Sequence, residues 1–166
     1  MTELDRTDRR ILLELQRDGR LSNVALAERI GMAPSPCLRR VRRLEELGVI
    51  KRYVAELDRQ TVGFGLMAFV EVSVPQIIGE PVVQRFNEAI QAQPAIIACY
   101  VTAGQFDYLL KVVARDMNDY SRLVQTVLLK LPGVRDTQTT FVMEVIKDTP
   151  ELPVGEAAAS RPLPPR

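Results

Sequence analysis

The chain has 166 residues, 46% hydrophobic and 26% charged, with 22 Lys and Arg against 21 Asp and Glu, the make-up of a soluble globular protein with one large domain or two small ones. Two cysteines are too few for a disulfide scaffold, and the absence of histidine removes the commonest metal ligand and general base. No apolar run approaches the ~18 to 20 residues of a membrane span, so disulfide-rich, histidine-dependent catalytic and transmembrane classes all fall away. The start MTELDRTDRR is charged throughout and offers no apolar signal core, which makes the cytoplasm the expected compartment. In chain order, residues 7–18 carry Ile11, Leu12 and Leu15 at helical spacing with Gly19 just beyond. Ser22 is placed to cap a second helix bearing Val24, Leu26, Ala27 and Ile30 and ending at Gly31. The turn MAPSP leads into a third helix, with Ser35 expected as its N-cap, Pro36 as its first residue and Gly48 closing it.

Two short helices joined by a glycine-containing turn and preceded by a third form a helix-turn-helix pattern, whose last helix reads DNA. Charge agrees. Residues 1–60 hold 13 Lys and Arg against 10 Asp and Glu, while residues 61–166 hold 9 against 11, and four arginines crowd into five positions at Arg39, Arg40, Arg42 and Arg43. At ~100° per residue, Cys37, Val41 and Leu44 fall on the core side, Ser35, Arg39, Arg42 and Arg43 on the opposite side, and Arg40 on the flank. An arginine near the helix start can grip guanine in the major groove, whereas those further along or on the flank suit phosphates. Such a run can also be merely a solvated helix face, but the ordered helix, turn and Ser/Pro start favour double-stranded DNA as partner. After Gly48 the stretch VIKRYVAEL alternates like a small wing strand, which would bring Lys51 and Arg52 to backbone phosphate. Residues 1–57 are thus expected to form a winged helix-turn-helix domain and 58–65 a linker.

The second half changes rhythm. Strand patterns at 66–74, 96–102, 108–114 and 137–146 alternate with amphipathic helices at 82–93 and 117–130, giving the order βαββαβ over a domain at 66–149. The expected class is α+β, with the helix-turn-helix joined to a ferredoxin-like βαββαβ sheet covered by two helices on one face. Strand 66–74 is apolar at both parities, so the bare face is expected to pack on another copy as at least a dimer. Cys37 and Cys99, inside apolar stretches, are expected to be small buried hydrophobes. The segment AGQFD reads as the turn between the middle strands, and as a plain hairpin it would put Gly104 at positive φ with Asp107 capping it. Residues 150–166, rich in Pro and Ala, read as a mobile tail.

The stretch LDRTDRRILLELQRDGRLSNVALAERIGMAPSPCLRRVRRLEELGVI, above all PSPCLRRVRRLE, together with GQFDYLLKV and LPGVRDTQT, resembles the leucine-responsive Lrp/AsnC regulators, whose effector domain is termed RAM-type. The resemblance covers about residues 3 to 150 and implies a transcription regulator, not an enzyme, that dimerises through the βαββαβ domain and assembles into larger rings, commonly octamers. It further implies DNA contacts from Ser35, Pro36, Arg39, Arg40, Arg42, Arg43, Lys51 and Arg52. A small amino acid would bind between dimers at Thr102, Gly104, Gln105, Phe106, Asp107 and Tyr108, with Thr139 contributed by a neighbouring subunit. The chemistry fits: a zwitterion needs an anionic acceptor for its ammonium and donors for its carboxylate, which Asp107 and the amides of a glycine turn supply. Leucine, other branched-chain or aliphatic amino acids and alanine are the favoured effectors, and no cofactor or metal is expected. The competing reading is a ligand-independent architectural protein that wraps DNA.

Overall fold

In the computed structural model, which describes residues 4–74 and 81–155, Asp5 opens the first helix. Its carboxylate accepts the Asp8 N–H at 2.7 Å while the Asp8 carboxylate accepts the Asp5 N–H, and this reciprocal cap starts α1 (Arg6–Arg17) one residue before the periodicity predicts. Ser22 caps α2 (Asn23–Ile30) by accepting the Ala25 N–H, and Gly31 ends it at φ +70°.

The third helix corrects the expected cap. α3 (Pro34–Glu46) takes Ala33 as N-cap with no side-chain cap hydrogen bond, so Pro34 is its first residue and Ser35 and Pro36 sit inside the first turn. Amides in that turn have no helical partner, so both prolines are accommodated without loss, and Pro34 holds the preceding Ala33 extended. The Asn23 amide donates to the Pro34 carbonyl at 2.8 Å, tying the start of α3 to that of α2. The three helices share a core of Ile11, Leu12, Leu26, Ala27, Ile30, Cys37 and Leu44.

The wing strand does not form as expected. Val49 and Ile50 pack against the helical core, but residues 51–58 pair with no strand among the described residues. An alternating sequence becomes a strand only where a partner offers matching backbone groups. Tyr53 anchors the segment instead: its ring lies beside Gly19, where an added Cβ would stand 3.4 Å from it, and its hydroxyl donates to Glu45 at 3.0 Å. Desolvation, reinforced by Glu45, pushes the Tyr53 phenol from 10.0 up to about 12. Below pH ~10 both folded and unfolded chains hold that proton. As pH rises from 10 towards 12 the unfolded chain releases it first, so the stabilisation fades and is gone above the folded pKa. Burial delays Tyr108 and Tyr120 as well, so spectrophotometric titration should show several tyrosines ionising late, and Glu45→Gln should shift the Tyr53 step alone downward.

The described residues divide into two units, one running to Glu56 and rejoined by the segment from Lys147, the other Leu57–Ile146. The tail expectation is therefore corrected for residues 150–155. The Leu152 N–H donates to Gln16, the Gln16 amide returns a bond to the Leu152 carbonyl at 3.0 Å, Arg9 donates to the Val154 carbonyl, and Val154 packs on the helical core. Composition suggested mobility, but the paired backbone bonds of Leu152 with Gln16 and the packing of Val154 on the helical core outweigh it. The rest of the tail, 156–166, lies outside the described residues.

In the second unit β1 (Leu66–Ser73), α4 (Pro81–Gln91), β2 (Ile96–Val101), β3 (Tyr108–Ala114), α5 (Met117–Thr126) and β4 (Asp136–Phe141) build an antiparallel sheet of order β2-β3-β1-β4, the ferredoxin-like arrangement. One face, through Ala68, Val70, Val72, Tyr108, Leu110 and Val112, buries against Phe86 and Ile90 of α4 and Tyr120 of α5. The Phe86 and Tyr108 rings lie 4.5 Å apart. The helix expected over 117–130 ends at Thr126 and gives way to a 3-10 turn, Leu128–Lys130, whose tighter winding sets Leu128 and Leu131 three residues apart in the core. β4 is shorter than the expected 137–146. The Val142 N–H makes a bond to the Met67 carbonyl, after which β1 has only Leu66 left to pair. Cys37 is buried as expected, but Cys99 is exposed because β2 is an edge strand with no neighbour on its outer side.

Candidate functional site

Helix α3 has two chemically distinct sides. Cys37 and Leu44 are fully buried and Val41 half-buried, while Ser35, Leu38, Arg39, Arg42, Arg43 and Glu46 line an exposed shallow groove on the outer side. No hydrogen bond or ion pair engages Arg39 or Arg42 among the described residues, so both guanidiniums are free to meet an anion or a base edge. Ser35 and Pro36 stand in the first turn of this helix, where the two prolines leave the Ser35 N–H and the helix dipole to favour phosphate. Lys51 and Arg52 are exposed on the extended segment that follows.

Arg40 and Arg43 behave differently. Arg40 Nη1 donates to Asp5 at 2.6 Å and to Asp8 at 2.7 Å, and Arg43 Nη1 reaches Asp8 at 3.3 Å. The Arg40 guanidinium is held protonated by Asp5 and then Asp8, while the Asp8 N–H and the Arg40 guanidinium hold the Asp5 carboxyl below its ordinary value. Periodicity put Arg43 with Arg39 and Arg42 on the outer side and Arg40 on the flank; Arg40 and Arg43 both turn their guanidiniums onto α1, while Arg39 and Arg42 stay outward. Asp5 and Asp8 are the residues that sequence reading missed. Their DxxD spacing announces a cap, but no local signal announces two arginines more than thirty positions away.

The turn between β2 and β3 is closed from within. Thr102 Oγ1 donates to the Phe106 carbonyl at 2.8 Å, the Thr102 N–H to the Asp107 carbonyl, and the Asp107 N–H to the Val72 carbonyl. The Asp107 carboxylate accepts the Val74 N–H at 2.9 Å through Oδ2, so it caps the end of β1 and not its own turn. Gly104 is also corrected: it lies outside the positive-φ glycines, and a Cβ there would meet nothing within 4 Å. Thr102, Gly104 and Gln105 are exposed and Asp107 half-buried, but the Phe106 and Tyr108 side chains are buried. Those two can therefore shape the turn but cannot cover a ligand from outside. Thr139 shares a hydrogen bond of 2.6 Å with the Tyr120 hydroxyl and sits on β4, separated from the turn by β1. One chain alone does not bring it to Asp107.

Comparison with known proteins places both units. Residues 67–152 match the Lrp/AsnC ligand binding domain and residues 4–51 a winged helix-turn-helix DNA-binding domain. The chain belongs to the Lrp/AsnC family. It is 48% identical over 151 residues to the leucine-responsive regulatory protein of Escherichia coli (strain K12), covering 90% of this chain and 91% of that protein. The relative in Klebsiella pneumoniae matches to the same extent, 48% over 151 residues, 90% and 91%. Among solved structures, a transcriptional regulator from Neisseria meningitidis in complex with L-Met superposes with TM-score 0.87 at 41% identity, covering 92% of this chain and 97% of that one. An AsnC family regulator from Agrobacterium tumefaciens gives TM-score 0.85 at 37% identity, covering 91% and 97%.

Membership makes the chain a DNA-binding transcription regulator with a ligand-binding domain, in a family of regulators and not of enzymes. Among the described residues, no helix is long and apolar enough to cross a membrane, and no group of three or more His, Cys, Asp or Glu could hold a metal ion.

Proposed function

We propose that this Lrp/AsnC protein is a cytoplasmic, sequence-specific regulator of amino-acid metabolism genes whose assembly responds to a small amino acid. The observation that carries the DNA part is the outward, unpaired pair Arg39 and Arg42 on a helix whose opposite side buries Cys37 and Leu44 completely. Arg39, one turn from the helix start, reads a base edge, Arg42 together with Lys51 and Arg52 grips phosphate, and Ser35 and Pro36 seat the helix end on the backbone. Two copies of α3 in a dimer enter successive major grooves about 34 to 36 Å apart, so the operator is an imperfect palindrome.

Dimerisation uses the sheet face turned away from α4 and α5. Strand register puts half-buried Phe69 and Leu109 on that face together with Tyr100, which is 54% exposed, around Glu71 and Lys111. An apolar centre carrying one charge of each sign suits a second copy of itself. Dimers then join, as an octamer in the favoured arrangement, around the turn at Thr102, Gly104, Gln105 and Asp107, with Thr139 from a neighbour. The free Asp107 oxygen takes the effector ammonium. The effector is leucine, another branched-chain or aliphatic amino acid, or alanine, and the L-Met complex of the meningococcal relative supports an amino acid of this size and character.

The test is light-scattering mass with each of the twenty amino acids in turn, alongside affinity for a duplex selected from a random pool. One amino acid should shift both mass and DNA affinity, because only a ligand that binds two assemblies unequally can move the balance between them. Twenty amino acids without effect on a protein that still binds DNA would hand the field to the architectural reading. Asp107→Asn keeps an acceptor for the Val74 N–H but removes the charge. Calorimetry should then show effector binding weakened by roughly tenfold or more, the loss expected of a charge-assisted hydrogen bond, with the thermal midpoint nearly unchanged.

A further inference from the structure

Asp8 is the one fully buried charged side chain among the described residues, at 0% exposure. A carboxylate withdrawn from water is tolerated only when its partners restore most of what hydration supplied. Here the partners are Arg40 on one oxygen and Arg43 on the other, with Asp5 closing on Arg40 from the outside. Arg40 and Arg43 are three positions apart and so form neighbouring rungs on one side of α3. That side lies between the buried stripe of Cys37 and Leu44 and the outward stripe of Arg39 and Arg42.

We propose that Asp8, seconded by Asp5, is a positioning residue for DNA reading: it clamps two rungs of α3 from α1, setting the helix's rotation about its own axis and withholding Arg40 and Arg43 from phosphate. The apolar contacts of Cys37 and Leu44 hold α3 against the core but are non-directional, so they resist separation far better than roll. An ion pair made by two donors on two oxygens is directional. On a helix about 10 to 12 Å across, a roll of about 20° displaces the outer side-chain atoms by about 2 Å, enough to break a bidentate contact between Arg39 and a base edge. The clamp therefore acts through Arg39, which it never touches. It also lowers the positive charge the helix offers to any DNA, which restrains sequence-independent binding.

This inference rests on α3 being the reading helix, and the experiment separates the two. Asp8→Asn, Arg40→Gln and the double variant are titrated with the duplex that wild-type protein selects from a random pool and with a scrambled duplex, at several salt concentrations. The clamp predicts that Asp8→Asn weakens the selected duplex while affinity for the scrambled one holds or rises. The ratio between them should fall about tenfold, and the salt dependence should steepen by up to roughly one unit for each arginine released. Arg40→Gln, at a half-buried surface position, should lower the same ratio, and the double variant should do no worse than either single one, because both remove one contact.

If Arg40→Gln instead weakens both duplexes equally and flattens the salt slope by about 0.9, Arg40 is an ordinary phosphate contact and the clamp is overturned. A lower thermal midpoint in Asp8→Asn with an unchanged ratio overturns it too, leaving only a stabilising ion pair. Wild-type protein that enriches no duplex from the pool sinks the reading-helix assignment and the clamp with it.

Discussion

Replacing Arg39 and Arg42 together by alanine is expected to abolish measurable preference for the selected operator while leaving the fold intact. Both side chains are exposed and neither holds a hydrogen bond or ion pair among the described residues, so truncation leaves no buried partner orphaned. The single changes should separate. Arg39→Ala is expected to cost about 1 to 3 kcal/mol on the operator and little on scrambled DNA, the mark of a base contact, whereas Arg42→Ala should weaken both and flatten the salt dependence by about one unit. Fluorescence anisotropy on the two duplexes across a salt series reads all of these. Equal losses on both duplexes for Arg39→Ala would remove it from base reading.

The largest expected loss of stability comes from Gly133→Ala. Gly133 sits at φ +76°, and a Cβ there would stand 2.6 Å from Val82 and 3.2 Å from Val74. Left-handed backbone costs an L-residue about 1 to 2 kcal/mol, and crowding two valines adds a further 1 to 3 kcal/mol or so. Denaturant unfolding should show a loss of about 2 to 5 kcal/mol in the sheet-bearing unit. Gly104→Ala is the matched control, since its Cβ would meet nothing and its backbone needs no glycine. It should unfold like wild type, so any change in effector binding or assembled mass in that variant tests the assembly proposed around the turn.

Much of the candidate DNA surface was legible in the residues alone. Spacing put Cys37, Val41 and Leu44 inward and Arg39 outward because a helix repeats every 3.6 residues whatever surrounds it. Ser22 and Gly31 bound α2 where their side-chain and φ preferences predict. The α3 start was misplaced by two residues because the segment offers two prolines, and the first of them suffices to begin a helix. The effector turn was legible as a turn but not in its bonds. The Asp107 carboxylate is spent partly on Val74, thirty-three positions away, and nothing local distinguishes that from a cap within the turn.

The sequence by itself determined what is local: the order of three helices and a βαββαβ series, the sides of α3, and the family to which those motifs belong. Each rests on periodicity, capping or turn chemistry acting over a few residues. Tertiary structure alone decided which side chains remain available. It turned Arg40 and Arg43 onto Asp5 and Asp8, left 51–58 without a strand partner, exposed Cys99 at the sheet edge, and tied the Leu152 backbone and the Val154 side chain to the helical unit. The reason is common to all four: periodicity says which way a side chain points, while burial, pairing and exposure depend on what another part of the chain places opposite it.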